Sequence, residues 1–232
     1  VDRSILEAGE FIKTDVIGTF VLLEAARHAE RLRCFIQIST DEVYGSVAAG
    51  SSVETDELKP RNPYSASKAG ADRLAYSYWA TYGVPVIVTR ASNNYGPYQF
   101  PEKVIPLFIT NALDNIPVPL YGAGLNIRDW LHVMDHCRGL DVVIERGKPG
   151  EVYNIGGGNE VRNVDLTHKL LRLAERPDSL IKQVQDRQGH DLRYSLDTSK
   201  LQTLGWRPQV AFEEGLKQTV RWYRENAWWW RP

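Results

Sequence analysis

The feature of this sequence that most constrains its fold is an alternation of short apolar runs with longer helical segments. The apolar runs are rich in β-branched residues and read as strands at residues 34–40, 84–90, 118–121 and 151–155. Such alternation predicts an α/β fold with a Rossmann-like, doubly wound parallel sheet. In folds of this kind, ligands bind beyond the carboxyl ends of the strands.

The segments between the runs have helical periodicity. Residues 10–30 place apolar side chains at helical spacing, which predicts a helix with one buried face formed by Phe11, Ile12, Val16, Phe20, Leu23 and Ala26. A second helix is expected over residues 64–82, with Gly83 as its stop signal. Further helices are expected at residues 101–113, 133–145, 164–174 and 212–226, and a loop at residues 45–63. The Trp-rich end, residues 228–230, is expected to dock on the body or on a partner subunit.

Composition excludes several classes of protein. The 232 residues carry 28 Lys and Arg against 29 Asp and Glu, a net charge of -1. This balance argues against a protein that binds nucleic acid or the membrane surface, since both need a cationic face. The two cysteines form no CxxC motif, so we expect neither a disulfide nor a metal site, and a cytoplasmic location. The first residues do not resemble a signal peptide.

Two segments carry the residues suited to chemistry. Thr40, Asp41 and Glu42 follow the first predicted strand, and Tyr64 and Lys68 lie four residues apart at the start of a predicted helix. That spacing puts the phenol and the ammonium group on one helical face. We therefore expect Lys68 to lower the pKa of the Tyr64 phenol, which could then accept a proton from a sugar hydroxyl group. Taken singly, these patterns also occur by chance or as helix caps.

Together, several segments resemble the extended short-chain dehydrogenase/reductase family. They are STDEVYG at 39–45, NPYSASKAGAD at 62–72, RASNNYGPYQFPEKVIPL at 90–107, RDWLHVMDHCRGL at 128–140, GEVYNIGG at 150–157 and DRQGHDLRY at 186–194. The resemblance covers nearly the whole chain in the right order and is strongest to the branch that removes water from nucleotide-sugars. It implies NAD as cofactor and a homodimer built on the helices at residues 10–30 and 64–82. The alternative is that both apolar stripes belong to the core.

The resemblance also implies catalytic roles. Tyr64, held by Lys68, would remove the proton of the sugar 4-hydroxyl group while NAD oxidises C4, and Thr40 would bind the same oxygen. Glu42 would take the proton from C5, and Asp41 would protonate the departing 6-hydroxyl group. Such an elimination requires two carboxyl groups whose environments hold their pKa values apart.

Binding positions follow from the resemblance as well. The cofactor-binding residues that it implies are Tyr64, Lys68 and Asn94. The substrate-binding residues that it implies are Thr40, Asn93, Lys103, Val104, Pro119, Leu120, Tyr121, Arg128, Asn163, Asp186, Arg187 and His190.

Arg128 and the loop at residues 186–190 bear on how the substrate would be bound. Arg128 suits a diphosphate because guanidinium binds phosphate oxygens in pairs, and its alternative role is an ion pair with Asp129 or Asp135. Gln188 replaces the usual Pro of the family's DRPGH loop, which leaves the rigidity of that loop open.

The Gly-rich turn that seats a dinucleotide pyrophosphate is not found in these 232 residues. Residues 122–124 and 156–158 are glycine-dense but lack the GxxGxxG continuation, and we expect ordinary turns there. We therefore expect the sequence to be part of a longer chain, and these residues alone to bind NAD weakly. The alternative is a natural short relative without cofactor. Residues 1–91, with 129–158, are expected to belong to the cofactor domain, and residues 92–232 mainly to a nucleotide-sugar-binding lobe.

The leading functional hypothesis is dehydration of a nucleotide-sugar, with dTDP-glucose as the substrate that the resemblance implies. Within the same family, the alternatives are a dehydratase for GDP-mannose or CDP-glucose, an epimerase or a decarboxylase. The Thr-Asp-Glu triplet favours dehydration over epimerisation. Outside the enzyme class, the alternative is a binding or scaffold protein that lost the cofactor.

Overall fold

The central sheet of the protein is parallel, as the sequence predicts. A computed structural model describes residues 1–231, so the last residue of the predicted lobe lies outside it. Strands β1 (Phe35–Thr40), β2 (Val86–Ala91) and, later in the chain, Val152–Ile155 hydrogen-bond in that order. Phe35 lies opposite Val86, and Val88 lies opposite Val152. The polar ends of β1 and β2 therefore meet at one edge of the sheet.

The other strands and the helices complete the α/β fold. In chain order, the strands are β1, β2, β3 (Asn93–Tyr95), β4 (Val118–Tyr121), β5 (Ile127–His132), β6 (Val152–Ile155), β7 (Glu160–Arg162) and β8 (Ile181–Val184). The α-helices are α1 (Asp2–Leu6), α2 (Ala8–Phe11), α3 (Gly18–Arg27), α4 (Pro63–Tyr82), α5 (Val104–Leu113), α6 (Val133–Arg146), α7 (Asn163–Leu173), α8 (Ser199–Thr203) and α9 (Phe212–Glu225).

Helix α4 shows how local sequence signals set where a helix begins and ends. The Asn62 side chain accepts a hydrogen bond from the Ser65 amide at 2.8 Å, while the Ser65 hydroxyl accepts one from the Asn62 amide, which forms a capping box. Pro63 occupies the first helical turn, where its missing N–H is not needed. Gly83 ends the helix in the left-handed conformation, with φ of 70°. The predicted helix over residues 64–82 is confirmed.

The predicted helix at residues 10–30 is interrupted. Ile12–Ile17 forms a π-helix between α2 and α3. The wider hydrogen-bonded turn shifts the apolar stripe, so Leu23 is fully buried while Ile12 and Phe20 are 52% and 42% exposed. The prediction that these two side chains face the core is wrong for the described chain, because a stripe drawn at 3.6 residues per turn does not stay in register across a π-helix.

Two smaller sheets lie beside the first. One contains β3, β5 and β7, and the other pairs β4 with β8 in parallel. Apart from β4, these strands are not predicted from the sequence. Strands β3, β7 and β8 have only three or four residues, too few for a clear periodicity. In β5, the buried Arg128 and Asp129 interrupt the apolar run that a buried strand usually shows.

Several apolar clusters pack against the sheets, and two of them border the site. One surrounds Ile87, Leu131 and Ile155 beside the central sheet. The other joins α5, α7 and α9 to the second sheet through residues such as Tyr95 and Trp130. Trp229 and Trp230 pack against this second cluster, so the expected docking of the Trp-rich end on the body is confirmed for them, whereas Trp228 is exposed.

None of the helices within residues 1–231 is long and apolar enough to cross a membrane.

Candidate active site

A cavity of about 760 Å³ opens at the carboxyl ends of β1 and β2. Most of the predicted site residues line it. They are Thr40, Asp41, Glu42, Tyr64, Asn93, Asn94, Lys103, Val104, Pro119, Leu120, Tyr121, Arg128, Asn163, Arg187 and His190. Of the predicted set, Lys68 and Asp186 do not line the wall, although each contacts a residue that does. Their roles in binding or catalysis stay predictions.

A tight turn delivers the two carboxyl groups to the cavity. Asp41–Tyr44 forms a 3-10 helix, and the Thr40 hydroxyl at its start accepts a hydrogen bond from the Glu42 amide at 3.3 Å. Gly45 closes the turn with φ of 76°, and a Cβ atom there would lie 2.4 Å from the Lys59 carbonyl oxygen. The turn therefore requires glycine at this position.

Asp41 is held as an acid. Burial raises its pKa well above the usual value, and the negative charges of Glu42 and Asp129 raise it further. The Thr40 hydroxyl donates to Asp41 Oδ1 at 3.1 Å, while Oδ2 is buried without a hydrogen-bond partner among the described residues. A carboxyl group in this environment holds its proton to a higher pH than an ordinary aspartate, which suits it to donate that proton.

Glu42 lies beside Asp41 among polar groups that the sequence analysis did not select. Asn62 Nδ2 donates to Glu42 Oε2 at 3.3 Å, and the Tyr194 hydroxyl approaches the same oxygen at 3.4 Å. Tyr194 also donates to the buried Asp191 at 2.8 Å. The Asn-Pro step that begins α4 could have indicated Asn62 as a cap, but not its position beside Glu42.

The structure contradicts the expected effect of Lys68 on Tyr64. Burial raises the pKa of Tyr64, and the charges of Glu42, Asp15 and Asp41 raise it further. Lys68 Nζ instead donates to the Ile38 carbonyl oxygen at 2.7 Å, and burial lowers its own pKa. The helical spacing does place both residues on one face, but burial and the nearby carboxyl groups decide the direction of the shift.

Arg128 makes neither of the ion pairs considered as its alternative role. It donates to the carbonyl oxygens of Ile127 at 2.8 Å and Asp191 at 2.9 Å, and it stacks 4.3 Å from the centre of the Tyr194 ring. Asp135 instead pairs with Arg138 at 2.6 Å. Arg128 is a buried cation on the cavity wall that forms no ion pair with any described residue, which suits an anionic ligand.

The loop at residues 186–190 carries a second polar group. His190 Nδ1 lies 2.6 Å from Asp186 Oδ1, and its Nε2 is buried without a partner in the described part of the chain. Asp186 therefore orients the His190 ring instead of facing the cavity itself.

Unpaired polar atoms in the wall fit a polar cofactor and substrate. Ser39 Oγ, Ser92 Oγ, Asn93 Oδ1, Asn163 Oδ1 and His136 Nε2 are buried and lack hydrogen-bond partners among residues 1–231. Asn94 is oriented by His136, whose Nδ1 lies 2.9 Å from Asn94 Oδ1. Buried polar atoms are normally paired, so this set fits the ribose and amide groups of NAD and the hydroxyl groups of a sugar.

The glycine cluster at residues 122–124 forms a turn, as expected, whereas the cluster at residues 156–158 lies in an irregular loop. Residues 122–124 follow β4, and residues 156–158 follow β6. The Gly157 amide donates a hydrogen bond to the Asp129 carboxylate at 2.8 Å.

Comparisons with known proteins agree with this geometry. The chain is 56% identical over 232 residues to a dTDP-glucose 4,6-dehydratase of Actinoplanes, a match that covers 99% of this chain and 72% of that protein. The solved structure of the Streptomyces venezuelae dTDP-glucose 4,6-dehydratase, which has NAD bound, superposes with a TM-score of 0.98 at 54% identity and covers 100% of this chain and 72% of that one. The Bacillus anthracis dTDP-glucose 4,6-dehydratase, also in complex with NAD, gives a TM-score of 0.89 at 50% identity over 95% of this chain and 71% of that one.

The profile of the family described as GDP-mannose 4,6 dehydratase matches residues 1–219. Together with the relatives that match nearly all of this chain, this match shows that the chain belongs to the GDP-mannose 4,6 dehydratase family.

Proposed function

We propose that this protein catalyses the NAD-dependent dehydration of dTDP-glucose to dTDP-4-keto-6-deoxyglucose. The observation that carries the proposal is the buried Asp41, whose pKa is raised, next to Glu42 in the cavity that also contains Tyr64. Elimination of water needs one carboxyl group that donates a proton and one group that accepts it. The relatives named dTDP-glucose 4,6-dehydratase, which match the chain over its whole length, support this substrate.

We assign each proton transfer of the reaction to a residue of the chain. When bound, NAD would take a hydride from C4 of the sugar and return it to C6. Tyr64 would accept the proton of the 4-hydroxyl group as a phenolate, a form that the positive charge of the bound nicotinamide would favour, with the Thr40 hydroxyl beside the same oxygen. The resulting ketone acidifies C5, and Glu42 removes the C5 proton. Asp41 gives its proton to the 6-hydroxyl group, which leaves as water and leaves a double bond between C5 and C6. Glu42 gives its proton back to C5 as the hydride returns to C6.

Other polar residues would position Glu42 and bind the substrate and the cofactor. Asn62 Nδ2 points at Glu42 Oε2, which keeps the carboxylate close to the sugar. Residues 92–232 supply Arg128 for the diphosphate, and Asn93, Asn163 and His190 for other polar groups of the nucleotide-sugar. Residues 1–91, with 129–158, supply the cofactor side, including Tyr64, Lys68 and the strand ends. The product is a precursor of deoxysugars such as dTDP-rhamnose.

We also propose that the protein forms a homodimer in the cytoplasm. Apolar side chains are exposed on the two helical segments expected at such an interface, among them Ile12, Ile17 and Phe20 on one and Tyr76 and Tyr82 on the other. Large exposed apolar side chains grouped on neighbouring helices are typical of an interface. Sedimentation velocity tests the dimer, and Phe20→Ser should shift it toward monomer. The free cysteines, Cys34 and Cys137, fit a reducing compartment.

The experiment that tests the function is an assay with NAD and three substrates, dTDP-glucose, CDP-glucose and GDP-mannose, with products identified by mass spectrometry. We expect loss of water from dTDP-glucose to be fastest. Formation of an epimer without water loss, or no reaction with any substrate under conditions in which NAD is shown to bind, would reject the proposal. Asp41→Asn is the matched variant, since it should retain substrate binding and lose dehydration.

A further inference from the structure

A buried polar cluster lies behind the cavity and has no part in the proposed chemistry. Its centre is Arg90, a residue of the central strand β2 that is only 1% exposed. Arg90 Nε donates to Asp72 Oδ2 at 2.8 Å, and Nη2 donates to Asp72 Oδ1 at 3.2 Å, so the pair is bidentate. Asp72 belongs to helix α4 and is completely buried.

The third guanidinium nitrogen reaches the catalytic turn. Arg90 Nη1 donates to the Tyr44 hydroxyl at 2.7 Å and to the Glu54 carbonyl oxygen at 3.2 Å. The Tyr44 hydroxyl in turn donates to Asn154 Oδ1 at 2.9 Å, on strand β6. One cation therefore joins α4, the turn Asp41–Tyr44 and two strands of the sheet.

The charge states keep this cluster intact at neutral pH. Burial lowers the pKa of Arg90, but the hydrogen bonds and charge of Asp72 raise it more, so the net pKa lies above its ordinary value. Burial raises the pKa of Tyr44 to about 12, so its hydroxyl keeps the proton that it donates to Asn154.

The positions of these residues in the sequence connect the cluster to the active site. Tyr44 ends the same turn that begins with Asp41 and Glu42. Asp72 lies four residues after Lys68 and eight after Tyr64, so all three share one face of α4. A buried ion pair adds little net stability compared with apolar packing, because desolvation offsets the attraction. What such a pair does provide is a defined geometry between the elements that it joins.

We propose that Arg90 is a positioning residue that fixes the carboxyl turn relative to the helix that carries Tyr64. The inference rests on the proposed function, in which Tyr64 works on C4 while Glu42 and Asp41 work on C5 and C6. These three carbons are adjacent in the sugar, so both groups must be correctly placed at the same time. Small misplacements of reacting groups lower rates strongly, by up to about a hundredfold for about 1 Å.

The sharpest test is Tyr44→Phe, which removes the hydroxyl group that links Arg90 to the turn and leaves the ring and the Arg90–Asp72 pair. The matched control is Tyr153→Phe, because Tyr153 is equally buried and its hydroxyl accepts the Lys148 amide at 3.1 Å, away from the cavity. With NAD and dTDP-glucose, we expect kcat of Tyr44→Phe to fall about tenfold or more. The KM and the dTDP dissociation constant measured by calorimetry should stay within about twofold, because Arg128 and its neighbours lie elsewhere in the wall.

A second readout does not depend on activity. Native-state hydrogen exchange in Tyr44→Phe should become faster at the amides of residues 41–45 and remain unchanged in the middle of α4. Arg90→Lys is the second variant, because an ammonium group cannot bind Asp72 and Tyr44 at once as the planar guanidinium group does. It should also lower kcat and leave KM nearly unchanged.

Three results would overturn the inference: an unchanged kcat in both variants, parallel changes in kcat and KM, or faster exchange everywhere in the chain. They are distinguishable from failure of the proposed function, which would appear in the wild-type protein as the absence of a 4-keto-6-deoxy product. If wild type forms the product and Tyr153→Phe matches it, the comparison of Tyr44→Phe with that control decides the role of the cluster.

Discussion

Replacing Asp41 with Asn should change how the stability of the protein depends on pH. Asp41 is 3% exposed, its Oδ2 has no hydrogen-bond partner among the described residues, and its pKa is raised well above the usual value by burial and then by Glu42 and Asp129. The fold therefore favours the neutral form of this carboxyl group, which an asparagine amide copies in shape and charge.

The sign and slope follow from proton linkage. In the unfolded chain, an aspartate ionises near its ordinary pKa of about 3.9. Between that value and the higher folded pKa, the native state binds one proton more than the unfolded state, so the free energy of unfolding of wild type falls by about 1.4 kcal/mol per pH unit from this group. Asp41→Asn removes this contribution. Relative to wild type, the free energy of unfolding of the variant should therefore rise by about 1.4 kcal/mol per pH unit above about pH 4. This rise should stop where the pH reaches the pKa of Asp41 in the folded state.

The assay is urea unfolding of both proteins, followed by circular dichroism at pH values from about 4 to 8, with the linear extrapolation at each pH. The pH at which the difference stops growing measures the folded pKa. Asp141→Asn is the control, because Asp141 is an exposed residue of α6, and its difference from wild type should stay flat. A flat difference for Asp41→Asn would refute the view that Asp41 is held as an acid, and with it the role of Asp41 in protonating the leaving group.

Three further outcomes are expected. Tyr64→Phe should lower kcat by about a hundredfold or more while dTDP binding, measured by calorimetry, is retained, because the phenol acts as a base and not as an anchor; weak dTDP binding in this variant would contradict that. Glu42→Gln should stall after oxidation of C4, so reduced cofactor should accumulate in stopped-flow absorbance, whereas normal turnover would show that another group removes the C5 proton. Asp135→Asn should lower the melting temperature by about 4–8 °C, since the Asp135 carboxylate accepts two backbone amides and Arg138. Although burial raises the pKa of Asp135, these hydrogen bonds lower it overall, so its stabilising contribution should be present above about pH 4 and disappear as the pH falls through the folded pKa; an equal loss at all pH values would contradict this account.

Local signals in the sequence were sufficient for the framework of the fold. Helix α4 is predicted to within one residue because it begins at an Asn-Pro step and ends at a glycine, and both act within a few residues of chain. Strand β4 is predicted at its observed bounds, Val118–Tyr121. The strand ends that carry Thr40 and Ser92 meet at one edge because parallel strands align their carboxyl ends, so the sequence also predicts where a cavity forms.

Charge states and contacts depended on the tertiary structure. The spacing of Tyr64 and Lys68 predicts a lowered phenol pKa, but the shift is upward, because burial and carboxyl groups from two separate segments act on the same oxygen. Arg128 donates to the carbonyl oxygen of Asp191, which is more than sixty residues away in sequence, and no local pattern shows this contact. Likewise, Tyr194 and Asn62 reach Glu42 only after folding.

The division has a physical origin. Helix caps, turns and strand composition act between neighbours in the chain, so a single sequence can be read for them, and it also predicts the candidate catalytic residues. Desolvation and Coulomb interactions act through space and sum over every group within a few ångströms. Which carboxyl group keeps its proton, and which cation is free for a ligand, was therefore decided only when the folded chain brought these groups together.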